Sequence, residues 1–408
     1  MSEQWIKEQG GADIAIGGNG SYIIGNASAS AAPHNSNIVY KFNPNGSQAW
    51  AKTIHENNYS ITDIAYAPEG SIYLCGYLSP GDGRNWDSFI TKVSSNGDLI
   101  WTDTLDKSGF DNLDRAQSIT VSSSNSIYVT GYTNNDLDGN LNQGYTDIFI
   151  SQFDLDGNKQ WTKLIGTSLE DVPYEIITDL NGNVFISGYT NGNLNGEINR
   201  GGSDGFVIKL DSTGDIKWTK LIGEAEDELL DSITINNNGN SIFTSGIDYG
   251  DYQVIYSKLN QNGDSLWTNR TKFGFNYNIN PSYIDEATSI AVNINNSIFI
   301  GTDISNNNGY TGIVVGEFDE DGNHNSNLIA TNNLDGNSEW FRGHTYFGDL
   351  AIENNGESIY LSTFQTSDYD RDFFKKYATN KGNAEFSISG TTVVGQTLSI
   401  REDSADAD

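Results

Sequence analysis

Short runs of alternating apolar and polar residues recur along the whole chain, and they come in pairs. Four of the pairs are "QSITVSSSNSIYVTGYT" (117–133), "EIITDLNGNVFISGYT" (175–190), "SITINNNGNSIFTSG" (232–246) and "SIAVNINNSIFIG" (289–301). Each reads as a strand, a turn of Asn, Gly or Ser, and a second strand ending near a glycine. "DIAIGGNGSYIIG" (13–25), "DIAYAPEGSIYLCG" (63–76) and "DLAIENNGESIYLS" (349–362) fall into the same register, which makes seven copies. A second strand pair follows each copy, as in "DIFISQFDLDGNKQWTKLI" and "DGFVIKLDSTGDIKWTKLI". There a Trp follows the turn glycine by four positions, at Trp50, Trp101, Trp161, Trp218 and Trp267, and Ser326 takes the Trp place in a sixth copy. These tryptophans are expected to pack between repeats.

Four strands, a to d, in a unit of roughly 50–60 residues repeated seven times predict an all-β fold. The expectation is a seven-bladed β-propeller of four-stranded antiparallel blades over residues 1–380. The seventh unit supplies a (349–352), b (358–363) and c (372–377) but no evident d strand. "EQWIKEQ", with Trp5, fits the gap, so the N-terminal strand is expected to close the ring as the outer strand of the last blade. "AEFSISG" (384–390), with Phe386, is the rival. Residues 381–408 are expected to be a linker and the truncated start of another module, poorly ordered from 384 onward.

The segment 147–206, and more weakly residues 5–378, resembles the bacterial SBBP-type β-propeller repeats found in large secreted proteins of cyanobacteria and other marine bacteria. The resemblance implies an extracellular module without established catalysis, often in proteins exported by type I systems. The tail "AEFSISGTTVVGQTLSIREDSADAD" resembles the opening of an Ig-like repeat module. Residues 10–25, "GGADIAIGGNGSYIIG", also resemble the glycine-rich calcium repeat of secreted toxins, but Tyr22 displaces its ligand Asp. The repeat register settles that stretch as strand–turn–strand.

Hydrophobic residues make up 36% of the 408 and aromatics 12%, enough for a large core rich in strand formers. With 54 acidic against 22 basic residues the net charge is −32. That excludes nucleic acid, whose phosphates need clustered Lys and Arg, and disfavours an anionic membrane surface. Cys75 is the only cysteine, so no intrachain disulfide forms, and it reads as a small buried hydrophobe. No basic-then-apolar leader opens the chain and no apolar run is long enough to span a membrane. The expected setting is extracellular or at the cell surface, reached without an N-terminal signal peptide, as a monomeric propeller within a larger protein.

In an up-and-down blade the short a–b and c–d turns share one rim, and the long, unlike b–c and d–a loops share the other. Binding is expected on the long-loop face. Asp114, Asp171, Asp227 and Asp285 recur four residues before the expected a-strand starts. They either ring the channel mouth as cation ligands or cap their loops through backbone N–H groups. The loop "DLDGNLNQGYTD" (136–147) sets Asp136, Asp138, Asn140 and Asn142 at alternate positions before Asp147. It and "NLNGEINRGGSD" (193–204) are candidate calcium loops, although an EF-hand needs Gly at the sixth position and Glu at the twelfth. Leu141 and Asp147 stand there instead. Trp86, Tyr277, Tyr283 and Trp340 lead the aromatics outside the strands as candidate ligand platforms, with packing of the loops onto the rim as the alternative.

Four His and no H-E-x-x-H or G-x-S-x-G motif leave enzyme signals weak. The expected function is a non-catalytic recognition or adhesion module that binds a glycan or a cell-surface protein, with calcium as the one cofactor to test. The alternatives are a carbohydrate-active enzyme with carboxylates at the channel mouth, and a purely structural spacer.

Overall fold

Every regular element among the described residues is a β-strand. The computed structural model describes residues 2–7, 13–17, 22–25, 37–55, 58–78, 86–105, 113–273, 281–283, 288–306, 311–329, 345–352, 358–365, 374–378, 386–389 and 399–402. Of these, 2–7, 13, 22–25, 281–283, 304–306, 311–312, 327–329, 345–348, 358, 362–365 and 374 onward are described by backbone alone.

Among the described residues, seven sheets share one plan. In the third, Arg115–Val121, Ser126–Thr133, Asp147–Asp154 and Lys159–Ile165 pair antiparallel in chain order. The first strands of the others are Asp13–Ile16, Tyr59–Tyr66, Asp171–Thr178, Glu228–Ile235, Thr288–Val292 and Thr345–Ile352. The sixth sheet gains a fifth strand, Pro281–Tyr283, beside Ile298–Asn306. In the seventh, Ser2–Lys7 takes the fourth place, antiparallel to Phe374–Ala378 with Trp5 opposite Lys376. Phe386–Ser389 pairs with Ser399–Glu402 in a separate two-stranded sheet. These are antiparallel four-stranded sheets of the β-propeller kind.

The sheets stack face to face, so their middle strands are buried on both sides and lose the alternation a half-exposed strand would keep. Val184–Thr190 and Asp204–Leu210 are buried at six of seven positions each, whereas the outer strand Ile216–Ile222 is exposed at its first two positions and buried only at its last two. Ile148 and Ile150 of the third sheet interlock with Ile176, Ile186, Phe206 and Ile208 of the fourth. Ile14, Tyr40 and Phe42 of the first sheet pack on Tyr360 of the seventh. Trp50, Trp101, Trp161, Trp218 and Trp267 each lie against the c–d turn of the next sheet. A Cβ on Gly157 would sit 3.1 Å from the Trp101 ring, and one on Gly214 3.0 Å from Trp161, while both glycines hold positive φ, +90° and +82°. The repeated N-G and D-G signals thus serve a hairpin turn and a tryptophan seat at once.

The first strands carry a second repeated device that bonds one sheet to the next. Most of them break register once, between Ile61 and Asp63, Ala116 and Ser118, Pro173 and Glu175, and Leu229 and Ser232. Such a bulge turns a side chain off the pleat. The residue just past it accepts the backbone N–H of its counterpart's neighbour in the following sheet. Ile119 N donates to Asp63 Oδ2 (2.7 Å), Ile176 N to Ser118 Oγ (3.2 Å) and Ile233 N to Glu175 Oε2 (2.6 Å). Ile290 N then donates to Ser232 Oγ (3.2 Å) and Leu350 N to Ser289 Oγ (3.3 Å). The serines also donate, Ser118 to Asp63, Ser232 to Glu175 and Ser289 to Asp349. A hydrogen-bonded belt therefore runs through the first strands of sheets two to seven.

Candidate functional site

Two long loops on the b–c side of sheets three and four have one architecture. Asn142 N donates to Asp136 Oδ1 (2.9 Å) as Asn199 N does to Asn193 Oδ1 (3.0 Å). Asn142 and Asn199 each donate Nδ2 to the carbonyl of the threonine ending the preceding strand, Thr133 and Thr190. Gln143 N and Arg200 N donate to Oδ2 of Asp147 and Asp204. Leu137 and Leu194 anchor the loops from below, 2% and 0% exposed. Asp138 and Asn195 take φ near +50°, a region short polar side chains tolerate. The alternating oxygens in these loops thus order the backbone.

Between the loops and the crossover from sheet three to sheet four lies a cleft of about 620 Å³. It is lined by Gln143, Gly166, Thr167, Ser168, Leu169, Asn191, Gly192, Asn193, Asn195 and Asn199, with no charged side chain among them. Two glycines keep its wall thin. A Cβ on Gly192 would stand 2.3 Å from Thr167 Oγ1, and one on Gly166 2.2 Å from Asp147 Oδ1. Several polar groups are already used: Asn191 Oδ1 accepts from Ser203 Oγ, and Asn195 Nδ2 donates to Thr219 Oγ1. Asn191 Nδ2, Asn193 Nδ2 and the Gln143 carboxamide have no protein partner among the described residues. Exposed Leu141, Tyr145, Leu169 and Ile198 stand on the surrounding loops.

On the same side, aromatic residues gather where the first and second strands meet the long loops. Tyr174 and Tyr189 have ring centroids 5.8 Å apart. The Arg115 guanidinium lies 3.3 Å from the Trp86 ring centroid and 4.6 Å from that of Tyr77, and donates to Tyr132 Oη. Burial drives the Tyr174 phenol well above its ordinary range, with Asp231, Tyr189, Tyr249 and Tyr132 adding to the effect. Glu175 and Asp231 are pushed up to about 8, chiefly by burial and only partly offset by their Ser232, Ile233 and Thr288 hydrogen bonds. Both keep some solvent contact although protein surrounds them.

Trp86 is half-buried, with Arg115 over its ring and Tyr77 beside it. Tyr277, Trp340 and Asp285 lie outside the described residues, and Tyr283 is described by backbone alone. Asp114, Asp171 and Asp227 do not stand four residues ahead of their strands. The bulge lets each strand continue upstream, so Asp171 opens its strand and the other two directly precede theirs. Asp171 is buried and accepts from Thr167 N and Thr190 Oγ1, and Asp227 accepts from Ser203 N. Asp138 pairs with Lys159 and Thr162, and Asn140 donates to the Leu137 and Thr162 carbonyls. Among the described residues no three His, Cys, Asp or Glu side chains gather as metal ligands would. Since backbone N–H donors already hold one oxygen of Asp136 and one of Asp147, and no third acidic ligand joins them among the described residues, the melting temperature is expected to differ by less than about 1 °C between EDTA and millimolar calcium. A larger rise would return Asp136 and Asp147 to the role of ligands.

The belt residues were not singled out from sequence, although a signal is there. The position before the first apolar residue of each a strand reads Asp13, Asp63, Ser118, Glu175, Ser232, Ser289, Asp349, always a side chain with an acceptor oxygen.

Residues 111–138 and 160–195 match the SBBP beta-propeller repeat. Over 200 residues the chain is 24% identical to the regulatory protein FlaEY of Caulobacter vibrioides, covering 44% of this chain and 20% of that protein. It thus spans about a fifth of that relative's length. A chain in the crystal structure of the mitotic checkpoint complex is similar in fold, with a TM-score of 0.56 at 12% identity over 92% of both chains. A protein of unknown function from Dyadobacter fermentans gives a TM-score of 0.48 at 10% identity, over 79% of this chain and 95% of that one. The match within the two sheets that build the cleft places SBBP-type beta-propeller repeats at residues 111–138 and 160–195, among sheets of the same four-stranded plan.

Proposed function

We propose that the chain is a closed seven-bladed β-propeller that serves as a recognition module of an exported bacterial surface protein and holds a neutral glycan in the cleft between sheets three and four. The observation that carries this reading is the lining of that cleft: carboxamides, hydroxyls and glycines, with no charged group, in a chain of net charge −32. Carboxamides offer a donor and an acceptor side by side, which matches the paired hydroxyls of a sugar ring. Exposed Tyr145 and Leu169 give its C–H faces an apolar contact. No carboxylate lines the cleft, so general acid–base hydrolysis has no pair of groups to work with there. For the ring itself, support comes from the packing of Tyr360 on the first sheet and the place of Ser2–Lys7 in the seventh. A ligand-reading module also suits a place within a larger regulatory protein such as the FlaEY relative.

The test is a glycan-array screen of the full chain, followed by titration of Asn193→Asp. Asp136 fills the equivalent place in the neighbouring loop and makes the same hydrogen bond, so the substitution keeps the loop's acceptor. It removes the free Nδ2 donor and places a negative charge in the cleft. Melting should move by less than about 1 °C, and glycan affinity should fall about tenfold or more. Binding unchanged in the variant would move the ligand elsewhere on the face. No glycan bound by the parent chain would favour a spacer.

A further inference from the structure

Seven Asn-Gly pairs stand among the described residues. In such a pair the glycine nitrogen, with no Cβ beside it, can reach the carboxamide of the asparagine before it. In six of the seven that nitrogen is held. Gly46, Gly97, Gly182, Gly239 and Gly263 each donate N–H to the carbonyl three residues back, closing a hairpin turn at 2.8–3.1 Å. Gly192 N donates to Thr190 Oγ1 (3.0 Å). The pair Asn195 and Gly196 differs. Its turn closes one residue later, through Glu197 N to the Leu194 carbonyl (3.0 Å), with Asn195 and Gly196 both at positive φ, +51° and +92°. Gly196 N has no hydrogen-bond partner among the described residues. Both residues are exposed, and nothing lies within 4 Å of where a Gly196 Cβ would stand. The Asn195 carboxamide is tied through Nδ2 to Thr219 Oγ1 (2.9 Å), and Asn195 lines the cleft between sheets three and four.

We infer that Asn195 is a self-modification site, which deamidates first among the described Asn-Gly pairs and leaves the folded chain with a carboxylate in a cleft whose lining carries no charge. The Gly196 nitrogen attacks Asn195 Cγ, and the new C–N bond closes a five-membered succinimide. The Cγ–Nδ2 bond breaks, and the proton lost by the Gly196 amide leaves with Nδ2 as ammonia. Water then opens the ring at either carbonyl, giving aspartate or isoaspartate. One water enters, one ammonia leaves, and nothing is oxidised or reduced. A hydrogen bond on the attacking N–H holds it in the plane of its turn, away from the side chain before it, so each rival pair must first break that bond. The fold already seats an acid at the equivalent place. Asp138 of the sister loop also holds positive φ, +50°, where it pairs with Lys159 and accepts from Thr162 Oγ1. Thr219, like Thr162, directly follows its strand's Trp, and its hydroxyl can turn from accepting to donating once the carboxamide becomes a carboxylate.

The experiment is peptide mapping by mass spectrometry of the full chain, held at mildly alkaline pH and sampled over weeks. A sample unfolded in guanidinium and kept alongside gives the intrinsic rate of each site. Relative to that rate, Asn195 should be the least protected in the folded chain. It should lead every other described pair by about fivefold or more, the ratio set by the one hydrogen bond that its rivals must break. Asn195→Asp, the aspartate product made directly, should melt within about 1 °C of the parent. Another described pair converting as fast as Asn195 in the folded chain, or Asn195 converting only in the unfolded sample, would overturn the site. A larger fall in the melting temperature of Asn195→Asp would overturn the folded product.

Discussion

Gly188→Ala is expected to destabilise the chain by about 3 kcal/mol, far more than its single added methyl would suggest. The glycine sits in the second strand of sheet four, opposite the bulge at Pro173 and Glu175. A Cβ there would stand 2.1 Å from the Val172 carbonyl oxygen and 2.7 Å from both the Pro173 Cα and the Phe206 ring. Two of those three atoms are backbone, and the bulge that positions them also turns Glu175 into the belt, so neither can retreat without breaking the contact between sheets. Gly76, Gly131 and Gly246 occupy the same place, with a Cβ 1.9, 2.0 and 1.8 Å from the facing carbonyl oxygen. The reason is space rather than backbone conformation, and a comparison separates the two. Gly196 holds φ +92° with nothing within 4 Å of a Cβ, so Gly196→Ala should cost only the left-handed strain, about 1 kcal/mol. Denaturant unfolding of both variants decides it. Equal losses would mean that the second-strand glycines are not clamped by the bulge.

That glycine marks how far the chain could be read without coordinates. The alternating pairs gave the strands, and the final glycine of each pair was visible as a recurrent stop, but its cause is a backbone approach from another strand, which no local pattern encodes. The Asn and Asp of residues 136–147 announced a structured loop. Spacing alone could not separate oxygens aimed at a metal from oxygens aimed at the loop's own N–H groups, and the hydrogen bonds of Asp136 and Asp147 are of the second kind. The cleft was legible only as a face. Its residues lie in three segments, near 143, 166–169 and 191–199, that meet because neighbouring sheets stack. The belt was hidden in the open. One acceptor side chain before each a strand looks like ordinary strand punctuation until the bulge shows that it points at the next sheet.

Glu175→Gln is expected to leave stability nearly unchanged in acid and to raise it as the solution becomes alkaline. In the folded chain the Glu175 carboxyl titrates at about 8 against an ordinary 4.5, because burial penalises its charge more than Ser232 and Ile233 compensate. A raised folded value means that the proton is held more tightly in the folded state. The stabilisation is complete below about pH 4.5, and it is lost progressively as the unfolded chain ionises while the folded chain does not, up to about pH 8. Gln preserves the acceptor for Ile233 N and Ser232 Oγ and cannot ionise, so the variant escapes this loss. Carboxylates whose titration is depressed by turn hydrogen bonds, such as Asp154 and Asp319, act in the opposite sense at acid pH, but they are common to both proteins and cancel in the difference. The gap in melting temperature should therefore be near zero at about pH 4 and widen to roughly 3 °C or more at about pH 9. Parallel melting curves would show pH-independent behaviour if Glu175 were ionised in the folded chain throughout, and the belt at that position would then rest on a charged acceptor instead of a protonated one.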